Sequence, residues 1–174
     1  ILASDPGVEL QQHTTSSCSP ILDVASFSGQ TKHWAQGCIE FNDNVFNWLS
    51  QNDSVNLVIL SSPFSGVTSG TFMTRDGRVH KSDDITLVQA ALINTVRRIR
   101  NQGARVVIVS PTPSSGRNNA LCLARASFAG SSNEVCQFAL NQRDKRFLFL
   151  RSVEKQIPIY WLYNSICLRG KCDP

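Results

Sequence analysis

The run Val55–Leu60, VNLVIL, followed by the turn Ser61-Ser62-Pro63, constrains this chain more than any other stretch. An unalternated apolar run of this length, carrying β-branched residues and bounded by turn signals, predicts a strand buried on both faces. Such strands lie inside parallel sheets of α/β domains, where ligands bind outside the carboxyl ends of the strands. Ser61, Ser62 and Phe64 are therefore expected at the mouth of any active site.

The rest of the chain can be placed around that strand. Val8–Thr14, VELQQHT, alternates weakly and reads as a strand after the Pro6-Gly7 turn, and residues 16–20 read as a loop. From about 37 to 51, Phe41, Val45, Trp48 and Leu49 recur at helical spacing. Residues 62–82, rich in Ser, Thr and Gly, hold no period and predict a long loop, which in compact domains tends to be a lid or binding loop. Asp83 or Asp84 can cap the next helix, whose apolar residues Ile85, Val88, Leu92, Val96 and Ile99 step by threes and fours until Gly103. Arg105–Val109 is a second buried strand, stopped by Ser110-Pro111-Thr112-Pro113. Helical segments follow near 118–128 and 133–155, and 157–162 supplies a fourth strand with Pro158 near its start. Parallel strands joined through a helix need a crossover, which is right-handed almost without exception. The expected fold class is α/β: one three-layer αβα domain over residues 1–174, with a mainly parallel sheet.

With 174 residues the chain suits one domain, and 41% apolar with 17% charged residues describes a folded protein rather than a disordered one. No apolar run approaches the roughly 20 residues of a membrane helix. Without an initiator Met or a signal segment, Ile1 reads as a cut end. The net charge of +4 is spread over positions such as Arg97, Arg98, Arg100, Arg143, Lys145, Arg146, Arg169 and Lys171. Lacking interleaved aromatics, these read as solvated faces rather than a nucleic-acid site. The six cysteines have local spacings that favour neighbour pairs, Cys18–Cys38, Cys122–Cys136 and Cys167–Cys172, although an even count of six leaves other connectivities open. Disulfides imply an oxidising compartment; the other reading is six free thiols in a cytosolic protein.

Several chemistries lack their motifs. There is no phosphate-cradling glycine loop, dinucleotide fingerprint, metal-binding His pair or G-x-S-x-G elbow. His13, His33 and His80 are far apart. No cofactor and no metal are expected.

The order of pieces resembles the SGNH (GDSL-like) domain attached to the integral-membrane acyltransferases that O-acetylate bacterial surface polysaccharides. The resemblance runs through Ser16-Ser17-Cys18-Ser19-Pro20, NLVILSSPF, Thr95-Val96, and Arg105 to Pro113. It continues in Cys122-Leu123-Ala124-Arg125 with Cys136, and in Ile166-Cys167 with Gly170-Lys171-Cys172.

That resemblance implies transfer of an acyl group to a polysaccharide hydroxyl by a Ser-His-Asp mechanism, in the periplasm. The acyl donor would be delivered by a membrane domain. The family's G-D-S-H box, which carries the nucleophile, and its D-x-x-H box, which carries the acid and base, match nothing here; the chain reads as truncated at both ends. Ser17 stands where the family's oxyanion-hole Gly does, and Phe64 stands in place of its Trp as an apolar wall. The family's Asn has no counterpart at Ser61 or Ser62, which leaves the oxyanion hole incomplete. The chain alone is thus expected to be scaffold and pocket wall. Two other readings stand beside it: an esterase site of Ser61 or Ser62 with His80 and Asp83 or Asp84, and a non-catalytic carbohydrate-binding or interaction domain. In flavodoxin-like order, the missing first strand would be the central one. Strands 8–14 and 55–61 would then face each other over a gap of roughly 9–10 Å, unless 8–14 moved across to pair with 55–61.

Overall fold

The organising run lies in a three-stranded parallel sheet. The computed structural model describes residues 7–27, 29, 31–81 and 83–174. In chain order its elements are β1 (Val24–Ser26), α1 (Lys32–Ser50), β2 (Leu57–Ser61), α2 (Ser65–Thr68), β3 (Thr71–Thr74), β4 (Val79–Lys81), α3 (Ile85–Asn101), β5 (Arg105–Val109), α4 (Asn119–Phe128), β6 (Phe138–Ala139), α5 (Lys145–Val153), β7 (Ile159–Tyr160), α6 (Tyr163–Ile166), β8 (Cys167–Leu168) and β9 (Lys171–Cys172). The parallel sheet has the order β2-β5-β7, and two antiparallel sheets have the orders β1-β3-β4 and β6-β9-β8.

In the parallel sheet Leu57 pairs with Arg105 and Ser61 with Val109, and Val109 pairs with Tyr160. Side chains alternate across a strand, so Val58, Leu60, Val106 and Ile108 share one face and enter the main core. There they meet Val88, Leu92, Val96 and Ile99 of α3, and Phe149, Leu150 and Val153 of α5. Each such buried side chain contributes roughly 1.5–3 kcal/mol. On the opposite face Leu57, Ile59 and Tyr160 remain 42%, 47% and 53% exposed. This corrects the expectation that the organising strand is buried on both faces. The steps from β2 to β5 and from β5 to β7 run in the same direction across the sheet. Right-handed crossovers then put both connecting helices on the same side, where α3 and α5 pack on each other. The far edge of β2 has no strand partner among the described residues.

The other departures have local causes. Val8–Thr14 forms no strand; it runs exposed, with His13 against the Trp48 ring at a centroid distance of 4.5 Å. Val8 and Leu10 are its only large apolar residues, too few to hold a buried face. Neither the gap between two strands nor a ladder from 8–14 to β2 therefore exists. Pro6, of the turn expected before it, lies outside the described residues.

Residues 62–82 are not a structureless loop but contain α2 and the hairpin β3–β4. Strand β3 sends Phe72 into the main core and Met73 into a second core with Ala25, Ala35, Cys38 and Ile39. Two adjacent apolar residues serving two cores leave no period to read. Helix 133–155 is likewise split. Asn133–Cys136 forms a 3-10 turn, Phe138–Ala139 pairs with β9, and a new helix begins at the Asp144 cap. The expected strand 157–162 shortens to Ile159–Tyr160.

Three disulfides staple these pieces: Cys18–Cys38, Cys122–Cys136 and Cys167–Cys172. Bonds of this kind belong to chains folded in an oxidising compartment. Gly66 is required where α2 meets β1, since a Cβ there would lie 2.2 Å from the Ser26 Oγ. Arg98, in the basic set on α3, lies over the Phe46 ring at 4.3 Å. No helix among the described residues is long and apolar enough to cross a membrane.

Candidate functional site

Three contacts fix the loop after Cys18 against the carboxyl end of β2. The Asn42 side chain on α1 donates to the carbonyls of Ser19 and Ile21 at 2.9 and 3.1 Å. The Thr95 hydroxyl on α3 accepts from the Leu22 N–H at 2.9 Å. Cys18 itself is bonded to Cys38 on α1. Held this way, the buried Ser19 hydroxyl comes within 3.2 Å of the Ser62 hydroxyl. Ser62 also accepts from the Phe64 N–H at 3.2 Å, steadying a left-handed turn at Phe64 (φ 54°).

Beside this turn opens a cleft of about 530 Å³ across the carboxyl ends of β2 and β5, the edge at which α/β sheets bind ligands. Ser61, Ser62 and Pro63 line one side, Ser110 to Ser115 another, and Arg117, Asn119, Arg146 and Leu162 complete it. The buried Ser110 hydroxyl accepts from the Leu162 N–H at 3.0 Å, tying the end of β5 to the segment after β7. The Ser115 hydroxyl lies 2.6 Å from Asn119 Oδ1. Asn118 caps α4 by accepting from the Leu121 N–H at 3.0 Å.

The cleft is polar and cationic. Arg117 Nη2 donates to the carbonyls of Cys136 and Gln137 at 3.0 and 2.9 Å. Arg146 is paired with Asp144 through Nε and Nη2. The hydrogen bonds from the Arg146 side chain hold the Asp144 carboxyl below its ordinary range, and the same bonds raise the Arg146 guanidinium. No His, Lys, Asp, Glu or Cys is among the lining residues. The arrangement can therefore bind and orient a polar group, but it holds no general base to activate a serine.

The expected site residues separate into groups. Ser61 and Ser62 line the cleft. Phe64 does not: it is 1% exposed and packs on Phe149 at a centroid distance of 5.8 Å, so it supports the cleft from beneath instead of walling it. Ser17 sits exposed in a left-handed turn (φ 57°), two residues before the Ser19 that reaches Ser62. His80, Asp83 and Asp84 line a separate depression. The His80 ring stacks on Phe72 at 5.2 Å; its Nε2 is 3.3 Å from the Thr74 hydroxyl and its Nδ1 3.9 Å from Asp84. The structure does not bring His80 to Ser61 or Ser62.

Ser110, Ser115, Arg117, Asn119 and Arg146 were not anticipated. The first four follow the carboxyl end of β5, so the rule that located Ser61 and Ser62 also points to them. Arg146 had only a faint signal, the Asp144 cap two residues before it.

A family model described as the SGNH domain (fused to AT3 domains) matches residues 2–174. The chain belongs to this SGNH family. No curated protein and no solved structure matches it. Fusion to AT3 domains gives the SGNH domain a membrane acyltransferase domain as partner, and hence an acyltransferase-associated role. Within this SGNH domain, the α/β architecture sets the cleft at the carboxyl ends of β2 and β5.

Proposed function

We propose that this domain takes part in transferring an acyl group, acetyl above all, to hydroxyls of a cell-surface polysaccharide in the periplasm. A serine would give its proton to a histidine oriented by an aspartate and attack the acyl carbonyl of a donor supplied by the AT3 domain, expelling the donor's leaving group. The sugar hydroxyl would then attack the acyl-serine, its proton passing through the same histidine, and the serine would leave. In this reading all three catalytic residues come from polypeptide outside residues 1–174. The chain supplies the scaffold, the cleft wall and, through the Ser17 N–H, one candidate donor to the oxyanion.

The observation that carries the reading is the cleft at the carboxyl end of β2, a strand whose far edge has no strand partner among the described residues. A further strand laid parallel on that edge would end next to Ser61 and Ser62, where a nucleophile is needed. A helix following it in the opposite direction would cover Leu57, Ile59 and Tyr160, completing a three-layer, flavodoxin-like domain. The three disulfides agree with the periplasm.

The test is the O-acetyl content of the surface polysaccharide, read by proton NMR, in cells deleted for this coding sequence. Loss of the acetyl signal is expected, restored by the whole reading frame and not by residues 1–174 alone. Unchanged acetylation overturns the acyl-transfer reading. Purified residues 1–174 should not turn over p-nitrophenyl acetate; turnover abolished by Ser62→Ala would instead place the catalytic serine within this chain.

A further inference from the structure

We infer that the cleft selects an acidic saccharide, a sugar unit bearing a carboxylate, which it holds through Arg117 and Arg146. The inference gives a substrate class to the acyl-transfer reading and rests on it for the purpose of binding, though not for binding itself.

Arg117 and Arg146 line the same cleft, whose other lining residues are Ser, Thr, Asn, Pro and Leu. Each is anchored by part of its fork. Arg117 spends Nη2 on the carbonyls of Cys136 and Gln137, and makes no other side-chain hydrogen bond among the described residues. Arg146 spends Nε and Nη2 on Asp144, leaving Nη1 without a hydrogen bond among the described residues. Guanidiniums fixed in this way lose little further freedom on binding, and their planar donors match the paired oxygens of a carboxylate. Asp144 balances one of the two charges and does not line the cleft, so the space itself stays positive. The first turn of α4 adds to this, for Asn119 belongs to it and it is capped by the neutral Asn118 and holds no acid. The volume suits a small ligand, and the serine, threonine and asparagine lining suits sugar hydroxyls better than an acyl chain.

Titration calorimetry with trigalacturonate, its methyl ester and inorganic phosphate tests this on the wild-type chain and on Arg117→Gln. Trigalacturonate is expected to bind and to weaken as salt is raised, with the ester and the Arg117→Gln protein each weaker by about tenfold. Thermal melts accompany both substitutions, since Arg117→Gln removes the donor to the Cys136 and Gln137 carbonyls and Arg146→Gln strips Asp144 of its partner. Ester binding equal to acid, unchanged affinity in Arg117→Gln, or no binding of trigalacturonate each overturns the inference. Phosphate binding as tightly as the trisaccharide overturns it too, and transfers the arginines to a phosphate-bearing acyl donor. Failure of the acyl-transfer reading registers separately, as unchanged polysaccharide acetylation with carboxylate binding intact.

Discussion

The hydroxyls of Ser19 and Ser62 lie 3.2 Å apart, joining the loop after the first cysteine to the carboxyl end of the edge strand β2 across 43 residues of chain. Ser19 is buried, and Ser62 is its side-chain partner. The contact sets one side of the cleft mouth and steadies the left-handed Phe64 that follows.

Ser62→Ala should therefore destabilise the protein. It leaves the Ser19 hydroxyl and the Phe64 N–H without their partner, at a cost of about 1–3 kcal/mol. Ser61→Ala, at an exposed neighbour, should stay within about 0.5 kcal/mol. Urea unfolding of the two variants makes the comparison, and equal midpoints would remove the structural role of the serine pair.

Acid should weaken the start of α5. The Asp144 carboxyl caps the helix by accepting from the Arg146 N–H at 2.9 Å and pairs with the Arg146 side chain, which depresses its pKa. A carboxyl depressed in the folded state contributes stability in full above its unfolded value of about 3.9 and loses it as the pH falls through the lower folded value. Asp144→Asn keeps a capping oxygen and removes the titration. The stability gap between wild type and Asp144→Asn, measured by chemical unfolding, should thus shrink as pH drops below about 4.

All three bridges should be present in protein recovered from an oxidising compartment. Alkylation without reductant should add no mass, and six added groups would refute the bridges and the compartment together. Replacing Cys122 and Cys136 with serine opens a crosslink spanning 14 residues, which should cost about 3 kcal/mol.

Much of this is legible in the amino-acid sequence itself. The apolar runs at 55–60 and 105–109, the helix after Asp84 and the three cysteine pairs could be read because each signal is local. Val55–Leu60 needs no partner to look like a strand, and neighbouring cysteines need no long-range register. What failed depends on the rest of the fold. Whether both faces of β2 are covered is decided by where the crossover helices land, and nothing in NLVIL records that. Thr71–Thr74 carries one side chain for each of two cores, so it mimics a polar loop. At the site, Ser61 and Ser62 followed from strand ends, whereas Ser19 meets Ser62 only because Asn42 and Thr95 hold its loop in place. Arg117 and Arg146, separated in sequence by the disulfide knuckle and the β6 segment, come to line one cleft only in three dimensions.

Arg117 keeps its direction because two carbonyls receive it, at Cys136 and Gln137, and Cys136 is itself bonded to Cys122 on α4. The aim of this guanidinium thus depends on a sulfur–sulfur bond made elsewhere on the chain. With that bond reduced, the Cys136 and Gln137 carbonyls would lose their tether to α4, and the charge that Arg117 brings to the cleft would lose its fixed direction while the parallel strands stay in place.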